Sequence, residues 1–82
     1  MKLKLLSLQN KEIIENIEWI EINTERGNYV IQKNHIAGIF ILTANKPLLY
    51  LHTTLQKTVA IQHGGILEFA NNCATVLLFN QS

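Results

Sequence analysis

Cysteine is all but missing from these 82 residues: Cys73 stands alone, so the chain has no partner for an internal disulfide and no Cys-x-x-Cys pair for a metal. That usage suits a reducing compartment, with the cytosol as the default. Charge of one sign is missing too. Seven basic and six acidic residues are scattered without a block of either, for a formal net charge of +1, and leave no electrostatic footprint for a phosphate backbone. Nucleic acid is therefore not an expected partner. No window approaches the roughly 18 uninterrupted apolar residues that span a bilayer; the longest apolar stretch is residues 36–44. The leucines near the start (Leu3, Leu5, Leu6, Leu8) make too short a run for a signal peptide, and no small-residue cleavage site follows them. A soluble or peripheral protein is expected.

What is present is apolar and β-prone. At 48% hydrophobic, the chain can build one small core, so residues 1–82 are expected to form a single domain. Leu3, Leu5 and Ser7 alternate with Lys2, Lys4 and Leu6, the period of a half-buried strand, and residues 9–11 make the turn after it. Residues 12–22 are ambiguous. Ile13, Ile17 and Ile20 have helical spacing, yet five isoleucines in eleven residues favour a pleated surface, and Ile20 and Ile22 alternate with Glu21. A strand is expected there, with Trp19 beside Glu21 on its outer face.

Residues 23–28 are the most polar segment and should be an exposed loop, followed by a short strand over residues 29–32 and a turn over 33–35. Residues 36–44 carry no helix caps and read as a strand covered on both faces. Asn45-Lys46-Pro47 ends it. Strands over 48–53, 58–62, 66–70 and 74–79 complete a series punctuated by polar turns every 8 to 12 residues or so. Within it, residues 63–78 form a hairpin. Asn71-Asn72 suits a tight connection because asparagine tolerates φ > 0, and Gly64-Gly65 marks a bulge or a close backbone approach. The expected fold is all-β: a β-sandwich or flattened barrel of about eight to ten short strands.

Little here points to catalysis. His35, His52, His63 and Cys73 have no ligand spacing such as His-x-x-x-His, so no metal is expected. Cys73 reads as a buried, inert strand thiol. Glu12, Glu15, Glu18 and Glu21, three apart, form a solvated stripe on a helix or split between the faces of a strand, and neither is an acid–base pair. Gly64-Gly65 lacks the strand-loop-helix context and the Lys-Ser/Thr of a phosphate loop. Trp19 is either an interface anchor or an indole lying over its own sheet.

Three runs in order carry a resemblance. Gly27-Asn28-Tyr29-Val30-Ile31-Gln32-Lys33-Asn34-His35 resembles a glycine-to-histidine loop and short strand, Gly64-Gly65-Ile66-Leu67-Glu68-Phe69 a Gly-Gly strand, and Thr75-Val76-Leu77 a closing strand, of the N-terminal β-sandwich of the epsilon subunit of F-type ATP synthases, called delta in mitochondria. Nearly the whole chain is covered. Departures fall at Val30, where the family has glycine, at Ala37, where it has proline, at Asn45 in place of a glycine, and at Leu78-Phe79 in place of an acidic residue. The two regulatory C-terminal helices common in the family have no counterpart in these residues, so neither their regulation nor nucleotide binding is expected.

The resemblance implies a noncatalytic rotor part of the central stalk, without a cofactor, linking the gamma subunit to the c-ring during proton-driven ATP synthesis. It implies a peripheral location on the cytoplasmic side of a bacterial inner membrane, without insertion. Carried over by position, Ser7, His35, Ile36 and Phe40 would lie toward gamma, and Glu25, Arg26, Asn28 and Tyr29 would face the c-ring. The alternative is a free-standing sandwich of the same kind that binds another protein. Trp19, Ile36, Phe40 and the Leu78-Phe79 end are expected to expose apolar surface that a partner covers.

Overall fold

In the computed structural model, residues 1–80 are described, and among them lie nine strands and no helix. They are β1 (Lys2–Leu6), β2 (Lys11–Ile14), β3 (Ile17–Thr24), β4 (Gly27–Gln32), β5 (Gly38–Leu42), β6 (Leu48–His52), β7 (Leu55–Val59), β8 (Gly65–Ala70) and β9 (Cys73–Leu78). Five make a sheet in the order β2-β1-β9-β8-β5 and four a sheet in the order β4-β3-β6-β7. The two sheets form an open sandwich, not a closed barrel. Neighbours are antiparallel except β1 and β9, which run parallel.

Strand alternation builds the core. Leu3 and Leu5 of β1 point inward with Leu67 and Phe69 of β8 and Ala74 and Val76 of β9, and meet Ile17, Ile20, Ile22, Ile31, Leu48 and Tyr50 from the other sheet. The β8–β9 turn is the expected Asn71-Asn72 pair, with φ of 53° and 56°. Two successive residues at φ > 0 give the primed turn whose twist matches a hairpin. Asn45 also sits at a positive φ, 65°, a conformation in which asparagine substitutes for glycine. At Gly65 an added Cβ would come 2.5 Å from the carbonyl oxygen of Leu77, so the close approach is made by the strand's own hairpin partner.

Several expectations need correction. The run 12–22 is not one strand: it breaks at Asn16 (φ 60°) into β2 and β3, which belong to different sheets. The helical spacing of Ile17 and Ile20 has a separate cause. The register of β3 on β6 shifts between Ile17 and Trp19, and the extra residue of that bulge returns Ile17 and Ile20 to one face. The polar segment 23–28 is mostly strand, with only Glu25-Arg26 left as the turn between β3 and β4. Lys11, placed in a turn, opens β2, and the strand expected over 58–62 runs instead from Leu55, because residues 53 and 54 already close a tight hairpin, with Thr53 at φ 54°.

The run 36–44 yields strand over Gly38–Leu42 alone, and it is not covered on both faces, because Ile39 and Ile41 are exposed; it is also an edge strand, with β8 on one side only. Leu78, expected at the surface, is buried, whereas Phe79 beside it is exposed; Cys73 is half-buried, not buried.

Candidate protein-interaction surface

Register fixes what the five-stranded sheet shows to solvent. Ile41 stands opposite Ile66, Ile66 opposite Leu77, and Leu77 beside Leu6, so one apolar row crosses four strands before it meets Lys11 on β2. The next outward row, Ile39, Glu68, Thr75, Lys4 and Ile13, mixes apolar and charged groups. Ile39 is 68% exposed, Ile41 59% and Leu77 47%. Leu8 continues the apolar row off the sheet, lining a hollow with Ser7, Leu77 and Phe79. A contiguous apolar strip with a polar rim is the usual mark of a protein contact.

A second feature borders this strip. The edges of β4 and β5 diverge around an open groove of about 420 Å³ lined by Thr24, Glu25, Arg26, Tyr29, Ile39, Phe40 and Ile41. Phe40 points inward and packs half-buried against the core. Its ring centroid is 5.5 Å from that of Tyr29 and 6.2 Å from that of His35, which in turn meets Phe69 edge-on at 5.9 Å. The loop carrying His35 is held from behind. The Asn34 amide donates to Asn72 Oδ1 at 2.8 Å and Asn72 Nδ2 donates to Asn34 Oδ1 at 3.2 Å, while the His35 amide donates to the Gln32 carbonyl at 3.1 Å.

The β3–β4 turn is built from its own polar groups. Thr24 Oγ1 donates to the Gly27 carbonyl and accepts from the Arg26 amide, both at 3.1 Å, leaving Glu25 and Arg26 at the tip. Gly27, at φ 125°, holds a conformation that side chains rarely adopt. Asn28 is not at the tip. It lies on the outer face of the four-stranded sheet and donates from Nδ2 to Glu21 Oε2 at 3.0 Å and to Asn23 Oδ1 at 3.3 Å. Trp19 shares that face, half-buried between Gln32 and Leu51.

The residues carried over by resemblance are thus distributed unevenly. Tyr29, Phe40 and His35 come together, with Glu25 and Arg26 on the same groove. Ser7 does not join them: it lies beside Leu77 and Phe79 at the end of the sheet away from His35 and Phe69. Ile36, 82% exposed, follows His35 in the loop before β5. Ile39, Ile41, Ile66 and Leu77 were not singled out from sequence. In β5 every residue is apolar or glycine, so alternation carries no sign of which side is wet.

Among the described residues no three His, Cys, Asp or Glu come together where a metal ion could sit. Burial, and after it the nearby Glu12 carboxylate, raise the pKa of the Tyr50 phenol above its ordinary value of 10.0. What the molecule presents is apolar area with a polar rim.

Among the described residues the fold is an open β-sandwich of two sheets without a helix. The chain is similar in fold to one in the cryo-EM structure of the Tetrahymena thermophila mitochondrial ATP synthase central stalk and c-ring, with a TM-score of 0.78 and 21% sequence identity. The match covers 98% of this chain and 63% of the other, so this chain spans less than two thirds of its neighbour's length. No family model matches the sequence, and no curated protein does.

Proposed function

We propose that this chain is a noncatalytic central-stalk subunit of an F-type ATP synthase, of the epsilon (mitochondrial delta) kind, that ties the gamma subunit to the c-ring during proton-driven synthesis. The observation that carries this is the fold match over 98% of the chain to a central stalk and c-ring structure, supported by the ordered sequence runs that end in His35, Phe69 and Leu77. On this reading gamma covers the apolar strip of the five-stranded sheet. Ser7 borders that cover at one end and His35 with Ile36 at the other, and Phe40 props the edge strand from beneath. The β3–β4 hairpin, with Glu25, Arg26, Asn28 and Tyr29, faces the c-ring. The subunit is peripheral to the membrane and held there through its partners.

Binding to purified gamma tests it. Leu77→Lys puts a charge in the middle of the strip and should weaken binding on the order of 1 to 3 kcal/mol, as loss of an interface anchor does. Asn28→Ala should leave gamma affinity unchanged while impairing coupling in the assembled enzyme. Gamma binding equally insensitive to both variants removes gamma as the partner and leaves a free-standing sandwich that binds another protein.

A further inference from the structure

The sandwich has four edge strands, β2, β5, β4 and β7, and they are not protected alike. β2 contains Lys11 and Glu12, β7 contains Lys57, and β4 is bounded by Arg26 and Lys33. β5, Gly38-Ile39-Phe40-Ile41-Leu42, has no charge, no proline and an unbroken register on β8; the nearest Lys, Arg, Asp or Glu along the chain are Lys33 and Lys46. Charges, prolines and bulges within a strand are devices that keep sheet edges from pairing with other chains, and β5 itself has none of them; just past its end the Thr43 amide donates to the Asn23 carbonyl at 2.9 Å, and Glu25 and Arg26 stand across the groove beside it.

We infer that β5 pairs with β5 of a second copy of this chain, antiparallel about a two-fold axis at Phe40, joining two five-stranded sheets into one of ten. The occupant follows from the strand's self-complementarity. With the axis at Phe40, Ile39 of each copy stands opposite Ile41 of the other, so four isoleucines that are exposed in the single chain cover one another on the outer face. Gly38 meets Leu42, the smallest residue against a large one. The Ile39 row of one copy continues into the Ile41 row of the other, so each Glu68 lies in line with the other copy's Ile66 and the two carboxylates stay apart. A formal net charge of +1 leaves little repulsion between copies. The contact is isologous and closed, as in most homodimers.

One strand pair buries a small area, which makes this a reversible dimer with Kd on the order of tens of micromolar. The inference rests on the fold alone and not on the rotor assignment: a chain that binds no gamma still dimerises. Where gamma does cover the strip, it competes with the second copy for Ile39 and Ile41.

Sedimentation velocity on the whole chain from about 1 µM to about 1 mM, a range that brackets such a Kd, should show the monomer giving way to a dimer. Ile39→Lys and Ile41→Lys, at exposed positions, should keep the far-UV circular dichroism of the parent and raise the dimer Kd about tenfold or more. A second measurement reads the register. In a Cys73→Ser background, Ile39→Cys mixed with Ile41→Cys should oxidise to a cross-linked heterodimer, because directly opposed residues bring their Cα atoms within disulfide range. Either variant alone holds its thiols two residues out of register and should cross-link poorly. A monomer at every concentration, a dimer indifferent to both lysine variants, or single-variant cross-linking as ready as the mixture would each overturn the inference.

Discussion

A single methyl group separates two outcomes at the glycines of the five-stranded sheet. In Gly65→Ala the new Cβ lands 2.5 Å from the Leu77 carbonyl oxygen, so β8 and β9 must move apart, and urea unfolding should show a loss of about 1 to 3 kcal/mol. Gly38→Ala meets only the Phe40 ring, at 3.7 Å, ordinary contact. With less unfolded-state freedom to lose, that variant should be neutral or gain up to about 1 kcal/mol. Tyr50 offers a pH prediction. Burial, then the Glu12 carboxylate, disfavour its phenolate and raise its pKa in the folded chain. Between the unfolded value near 10 and the raised folded value, the native state holds a proton that the unfolded state has released. The tyrosine's stabilisation is therefore complete below about pH 10 and is lost as pH rises through the folded pKa. Ultraviolet titration of Tyr29→Phe, in which Tyr50 is the remaining tyrosine, should place the transition above 10, and Glu12→Gln should bring it part of the way down.

Turns, more than strands, carry element-scale identity in this chain. Asn72 does two jobs: it takes φ 56° in the β8–β9 hairpin, and its side chain ties that hairpin to Asn34 in the β4–β5 loop. Asn72→Gly keeps the first and loses the second, whereas Asn72→Ala loses both. Denaturant unfolding should rank them, at about 1 kcal/mol for glycine and about 2 kcal/mol for alanine. Equal losses would mean that the clamp to Asn34 contributes nothing. The Asn-Asn turn was legible in sequence because its chemistry is local. The division of residues 12–22 was not, because the break at Asn16 and the bulge before Trp19 depend on which sheet each half joins.

One connected core holds both sheets, so the molecule should unfold in a single cooperative transition. Leu67→Ala, at a position with no exposed surface, should cost about 2 to 5 kcal/mol, a large share of what so small a domain possesses. Leu55→Ala, exposed on β7, should stay within about 0.5 kcal/mol. A denaturant series on the two variants checks both values. By itself the sequence determined the strand content, the primed turn at Asn71-Asn72, and the alternation that buries Leu3, Leu5, Ile20 and Ile22, since each is set by a residue's own conformational range or by a period of two. Only the tertiary structure decided which strands are edges and which apolar residues remain outside. Gly38-Ile39-Phe40-Ile41-Leu42 reads the same whether it is sandwiched or marginal. Its place beside β8 alone turns Ile39 and Ile41 outward and joins them to Ile66 and Leu77, because register is a relation between strands that no single strand contains.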